Sequence, residues 1–131
     1  MKVIIAGSRT LSDLDLVEQT VCSFIDPTQI SEVVSGGAKG VDFAGECFAT
    51  KYRIPIKRFP ADWKQHGKKA GYLRNVEMAQ YADALVAIWD GESKGTKHMI
   101  DIAREKNLYV YVYVADVPLP KEPWNKIGKG L

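Results

Sequence analysis

Ser35-Gly36-Gly37-Ala38-Lys39-Gly40-Val41-Asp42 stands between a short stretch that reads as a strand, Ile30 to Ser35, with Val33-Val34 at its centre, and an amphipathic stretch, Val41 to Lys51. Two further turns repeat this arrangement. Ala6-Gly7-Ser8-Arg9 follows Val3-Ile4-Ile5-Ala6, and Trp89-Asp90-Gly91-Glu92-Ser93-Lys94-Gly95-Thr96 follows the run Ala84 to Trp89. Continuous apolar runs of this length read as strands buried on both faces, the mark of a parallel sheet. In such a sheet every strand-to-helix turn falls at one edge, outside the carboxyl ends of the strands, where ligands bind. Three glycine-bearing turns at that edge point to one composite pocket.

Working outward, strand and helix alternate along the chain. Ser12 is read as the N-cap of a first helix carrying Leu14, Val17, Val21 and Phe24 at helical spacing, with Pro27 closing it. A helix over Val41 to Lys51 buries Val41, Ala44 and Phe48. A third strand spans about Pro55 to Phe59, and Pro60 to Lys68 reads as irregular. Helices follow over Ala70 to Tyr81 and Lys94 to Lys106. The fourth strand, Ala84 to Trp89, is placed centrally, and Leu108 to Val114, with Tyr and Val alternating, at a sheet edge. The expected fold is α/β: a Rossmann-like three-layer sandwich on a mostly parallel five-stranded sheet with right-handed crossovers. One domain accounts for residues 1–131, with an extended tail from about residue 116 that Trp124 pins to the body.

Composition narrows the function classes. The chain has 131 residues, a net charge of +2 and 46% hydrophobic residues, which suits an ordinary globular domain. That charge gives no general case for nucleic acid, although basic residues cluster from Lys64 to Arg74. Cys22 and Cys47 are the only cysteines, each read as a small buried hydrophobe, so the expected compartment is a reducing cytoplasm. No signal-peptide pattern precedes the first strand, and no apolar run approaches the roughly 20 residues of a membrane span. His66 and His98 are isolated from other ligand types, so no metal is assigned, and no cofactor is implied.

Each turn carries polar chemistry. Gly36, Gly37, Ala38, Lys39 and Gly40 offer backbone amides ahead of a helix N-terminus, which suits a phosphate or a sugar diol. The spacing matches neither a Walker A loop nor the dinucleotide fingerprint. Asp42 either stabilises its helix or accepts from ribose hydroxyls; the residues leave both open. Gly7 and Ser8 can approach a phosphate, and Arg9 can bind one bidentately. In the third turn, Gly91, Gly95 and Thr96 offer amides and a hydroxyl, while Asp90 and Glu92 supply carboxylates that either serve the turn and solvent or act as ribose ligands or general acid and base. Arg74, early in its helix, gains nothing from the dipole and so calls for a ligand or an acidic partner. Trp63 either stacks on a base or anchors the core or a lid.

Together with Ala61-Asp62-Trp63 and Ala70-Gly71-Tyr72-Leu73-Arg74-Asn75, the three turns resemble the YspA/YpsA-related group of the SLOG superfamily, over about residues 1 to 114. That superfamily joins the Lonely Guy enzymes to the DNA-processing protein A family. The resemblance implies a Rossmann-like domain that binds a nucleotide or a nucleotide-derived ligand, such as a phosphorylated nucleoside or an ADP-ribose-like compound. A homodimer is in keeping with it. Lonely Guy enzymes cleave the N-glycosidic bond of nucleoside monophosphates with an Arg-Lys-x-x-Met motif and a Gly-Gly-x-Gly-Thr-x-x-Glu motif. Arg74-Asn75-Val76-Glu77-Met78 is similar to the first, with Asn75 in place of Lys. Gly91, Gly95 and Thr96 match part of the second, but Met99 falls where the catalytic Glu belongs. A thioether cannot exchange protons, so ligand binding is the leading expectation. The alternatives are an N-glycosidic or phosphoester hydrolase using Asp42, Asp90 or Glu92, and a single-stranded nucleic-acid module using Lys64 to Arg74.

Overall fold

The computed structural model describes residues 1–115. The expected tail from residue 116 and the pinning of Trp124 lie outside the described residues. Five strands form one wholly parallel sheet in the order β3-β2-β1-β4-β5: β1 (Lys2–Gly7), β2 (Glu32–Ser35), β3 (Ile56–Arg58), β4 (Ala84–Trp89) and β5 (Tyr109–Val114). The helices are α1 (Leu14–Phe24), α2 (Val41–Lys51), the single-turn α3 (Trp63–His66), α4 (Ala70–Tyr81) and α5 (Lys94–Glu105).

Period-two alternation in β1 sorts the core into two layers. Val3 and Ile5 face α1 and α2, packing with Val17, Val21, Val41, Ala44 and Phe48. Ile4 and Ala6 face the other way, packing with Met78 and Ala79 of α4 and Met99, Ile100 and Ala103 of α5. This is the three-layer α/β sandwich expected. The chain steps from β1 to β2 to β3 on one side, then crosses to β4 and β5 on the other. The order therefore reverses between β1 and β4, and a crevice opens there.

Several local expectations are corrected. Asp13, not Ser12, caps α1, its carboxylate accepting from the Leu16 amide at 3.1 Å. That helix ends at Phe24, and Pro27 starts a separate 3₁₀ turn, where its fixed φ is suited to the first position. Leu14 is 49% exposed, and Phe24 leaves the core to stack on Tyr111 with centroids 4.5 Å apart. Cys22 is exposed and Cys47 half-buried, because both sit off the face that α1 and α2 turn toward the sheet. β4 is an interior strand beside the central β1. The stretch expected to be irregular contains α3 and a 3₁₀ turn, Gly67–Lys69. Among the described residues, no helix is long and apolar enough to cross a membrane.

Candidate functional site

Ser8 ties the three turns together. It is 1% exposed, and its carbonyl accepts from the Leu11 and Val41 amides, both at 3.2 Å. Its own amide donates to the Ile88 carbonyl at 3.2 Å, and its Oγ accepts from the Asp90 amide at 3.0 Å. One small buried residue thus joins the end of β1, the start of α2 and the end of β4. Gly40 makes the close crossing possible. Its φ is +74°, and a Cβ there would lie 2.4 Å from the Ser8 carbonyl oxygen.

The turns open on a cleft of about 290 Å³ at the carboxyl edge of the sheet. From the first turn come Gly7 and Arg9; from the second, Ala38 and Asp42; from the third, Ser93, Gly95 and Thr96. Helix α4 contributes Gly71, Tyr72, Arg74, Asn75 and Met78, and Met99 of α5 joins Met78 in the floor. Trp63 and Lys68 stand at the mouth. Ser8, Gly36, Gly37, Lys39, Gly40, Asp90, Gly91 and Glu92 do not line it. Ala6, Lys68, Gly71, Tyr72, Met78, Ser93 and Met99 also line it without having been expected as ligand contacts, although all but Lys68 and Met99 fall within the sequence motifs.

Arg74 is held in place from three sides. Its Nη1 donates to the Gly36 carbonyl at 2.6 Å and, at 3.5 Å, to that of Phe59; its Nε donates to Asn75 Oδ1 at 3.2 Å. Nη2 has no partner among the described residues. Asn75, 6% exposed, spends its amide hydrogens on the Gly95 carbonyl at 3.3 Å and His98 Nδ1 at 3.1 Å. This locks Arg74 to the N-terminal turn of α5, and the His98 ring then accepts at Nδ1. Burial keeps His98 below its ordinary value, with Asp101 opposing, so the neutral ring this bond requires is favoured.

Asp42 lies on the other side of Gly36. Its Oδ2 accepts from the Ala38 amide at 3.2 Å. Burial raises its carboxyl above the usual range, against the pull of the Ala38 amide and the Arg74 charge. Burial likewise lowers Arg74 from its ordinary value, with Asp42 opposing and Arg9 adding to the lowering. Arg74 stays charged all the same, as arginine does in proteins. Asp90 is employed elsewhere: its Oδ1 accepts from the Glu92 and Ser93 amides, both at 2.8 Å, which hold its carboxyl below the usual range. Glu92 is exposed. Only Asp42, of the three candidate carboxylates, faces the cleft.

The second turn is braced from behind. The Gly37 amide donates to Ser35 Oγ at 3.0 Å, which donates to Glu46 at 2.7 Å, and Arg58 Nη2 pairs with Glu46 at 2.8 Å. Burial alone would raise Glu46, but Arg58 and Ser35 outweigh it and hold the carboxyl low. At the third turn, Ser93 caps α5, accepting from the Thr96 amide at 3.4 Å. The Lys94 and Gly95 amides have no acceptor among the described residues, and the positive end of the helix macrodipole faces the cleft there. Among the described residues, no three or more His, Cys, Asp or Glu side chains gather as a metal-ion site.

Comparisons with known proteins agree with this architecture. The solved structure of DNA processing protein A (DprA) from Streptococcus pneumoniae superposes with a TM-score of 0.71 at 18% identity, covering 88% of this chain and 51% of that one. The two share the fold, and this chain spans about half the length of that neighbour. The gene 61 protein of Mycobacterium phage D29 is 34% identical over 116 residues, covering 83% of this chain and 93% of that protein. The family model described as YspA, cpYpsA-related SLOG family matches residues 1–66. The chain belongs to the YspA, cpYpsA-related SLOG family.

Proposed function

We propose that the cleft binds a nucleotide or a nucleotide-derived ligand, such as a phosphorylated nucleoside or an ADP-ribose-like compound. The observation that carries this is the convergence of all three glycine turns, through Ser8, on a single cleft that also receives Arg9, Arg74 and the N-terminus of α5. Two guanidinium groups and free helix-terminal amides suit phosphate oxygens. At about 290 Å³ the cleft is near the lower end of small-molecule sites, which favours one nucleoside phosphate over a dinucleotide. In this reading Gly7, Ala38, Asn75, Gly95 and Thr96 shape the wall, while Gly36, Gly37, Lys39, Gly40 and Gly91 hold the turns behind it. Calorimetric titration with nucleoside mono- and diphosphates, ADP-ribose and ribose 5-phosphate tests it. Saturable binding of at least one is expected; a folded protein that binds none overturns it.

One observation favours hydrolysis as a second reading. Asp42 is a buried carboxyl facing the cleft, and desolvation raises its pKa above the usual carboxylate range. In N-glycosidic hydrolysis, water adds to the anomeric carbon as the C–N bond breaks; Asp42 would give the departing base its proton and recover one from the added water. Chromatography of nucleoside monophosphates after incubation decides this: free base that Asp42→Asn abolishes supports it, and unchanged substrate dismisses it. A nucleic-acid role draws on the likeness to DNA processing protein A and on exposed Lys64, Lys68 and Lys69 beside the cleft. Binding of single-stranded DNA that weakens with salt is its signature.

A further inference from the structure

Trp63 opens α3 and lines the cleft, yet it remains 51% exposed. Tryptophan is highly buried on average, so an indole left half in solvent calls for a reason. Trp89 shows the usual behaviour: it packs on the core beside α5 and donates its indole N–H to the Ser93 carbonyl at 3.0 Å. The indole N–H of Trp63 has no partner among the described residues. Its ring edge lies close to Gly71, where an added Cβ would come within 3.5 Å of Trp63 Cη2. Tyr72, 44% exposed, lines the same mouth and is held edge-on by His98, with centroids 4.6 Å apart at 63°. The cleft therefore has a cationic, amide-rich interior and a mouth flanked by two aromatic rings that nothing in the described protein covers.

The geometry points to Trp63 and Tyr72 as a stacking subsite for the base of the ligand, an assignment that rests on the nucleotide reading above. A base has a π-face whatever its edge pattern, so stacking retains purines and pyrimidines alike. The subsite selects ligands that carry an aromatic base over bare sugar phosphates and discriminates weakly among bases. Phosphate contacts in the interior set the anchor, and the rings at the mouth supply the additional affinity.

The test compares AMP, UMP and ribose 5-phosphate by calorimetry and tryptophan fluorescence on the wild type, Trp63→Ala, Trp63→Phe and Tyr72→Ala. AMP and UMP are expected to quench the wild type and to bind within a few-fold of each other, with ribose 5-phosphate roughly 5- to 150-fold weaker, the range that stacking of one base supplies. Trp63→Ala and Tyr72→Ala each bring both nucleotides toward the ribose 5-phosphate level and leave ribose 5-phosphate unchanged; Trp63→Phe retains most of the affinity. Should Trp63→Ala not fold, Tyr72→Ala and Trp63→Phe carry the comparison. Equal wild-type affinity for AMP and ribose 5-phosphate overturns the subsite and spares the phosphate cleft. Equal losses for all three probes in the variants overturn it as well, making the rings a mere wall. No binding of any of the three probes by folded wild type overturns the subsite, whereas the nucleotide reading falls only if the diphosphates and ADP-ribose fail to bind as well.

Discussion

Substituting Gly36 by alanine separates the cleft's function from its fold. A Cβ at Gly36 would lie 2.6 Å from Arg74 Nη1, 2.9 Å from Arg74 Cζ and 2.9 Å from Asp42 Oδ2. The guanidinium is the far end of a flexible side chain and yields first, giving up its 2.6 Å bond to the Gly36 carbonyl. A hydrogen bond to a charged group is worth about 1.5–3 kcal/mol. Gly→Ala at an ordinary φ returns about 0.4–1 kcal/mol by restricting the unfolded chain. The net destabilisation is then about 1–2 kcal/mol, a fall in Tm of a few degrees for a domain of this size. Displacing Arg74 from a ligand phosphate costs a further charge-assisted contact, a weakening of roughly 10- to 150-fold. Calorimetry with AMP reads the affinity and thermal melting reads the fold. In an Arg74→Met background, Gly36→Ala should weaken binding no further, because both changes remove one interaction. Wild-type affinity in folded Gly36→Ala, or fully additive losses in the double variant, refutes the assignment of Arg74 to the site.

Three other perturbations have expected outcomes. Ser8→Ala leaves the Asp90 amide without its buried acceptor and should cost about 1–3 kcal/mol in chemical denaturation, with faster hydrogen exchange at Asp90; unchanged exchange contradicts the joint. Asp42→Asn mimics the neutral carboxyl. Because burial raises Asp42, the contribution of this one group to stability is fully present below the usual carboxylate value of 3.8 and is lost as pH rises through its folded-state value. The variant should therefore melt higher than wild type at neutral pH, with the gain vanishing in acid; a lower melting point at neutral pH would contradict this. His98 has the opposite sign: its lowered value means that stability present above about pH 6.5 is lost as pH falls. His98→Gln should flatten that acid limb of the Tm–pH profile, and an unchanged limb assigns it to other groups.

Much of the fold was legible because β1 and β4 are uninterrupted apolar runs. Val3 to Ala6 and Ala84 to Trp89 are too short for buried helices and each stops at a turn residue, which favours interior strands. The caps were less legible: Ser12 and Asp13 are both good N-caps, and only the geometry of α1 decides between them. Helix α3 was missed although Asp62-Trp63-Lys64-Gln65 has the spacing of a capping box, and the Asp62 carboxylate does accept from the Gln65 amide. The candidate site was legible as three turns but not in its division of labour. Ser8 and Asp90 look like ligand groups in the sequence, yet their hydrogen bonds go to the turns themselves. Whether a carboxylate faces the cleft or its own backbone depends on tertiary placement, which spacing does not encode. Asn75, in place of the lysine of the Arg-Lys-x-x-Met motif, finds its role only when α5 brings Gly95 and His98 to it.

The central claim is that three distant turns present one surface to one anionic guest. Backbone amide chemical shifts followed by NMR during titration with AMP test it most directly. The account predicts concerted, saturable shifts at residues 7–9, 36–42 and 93–96, with a common midpoint, and Trp63 indole shifts alongside. Saturable shifts confined to residues remote from that edge, such as β5 or the outer face of α1, would contradict it.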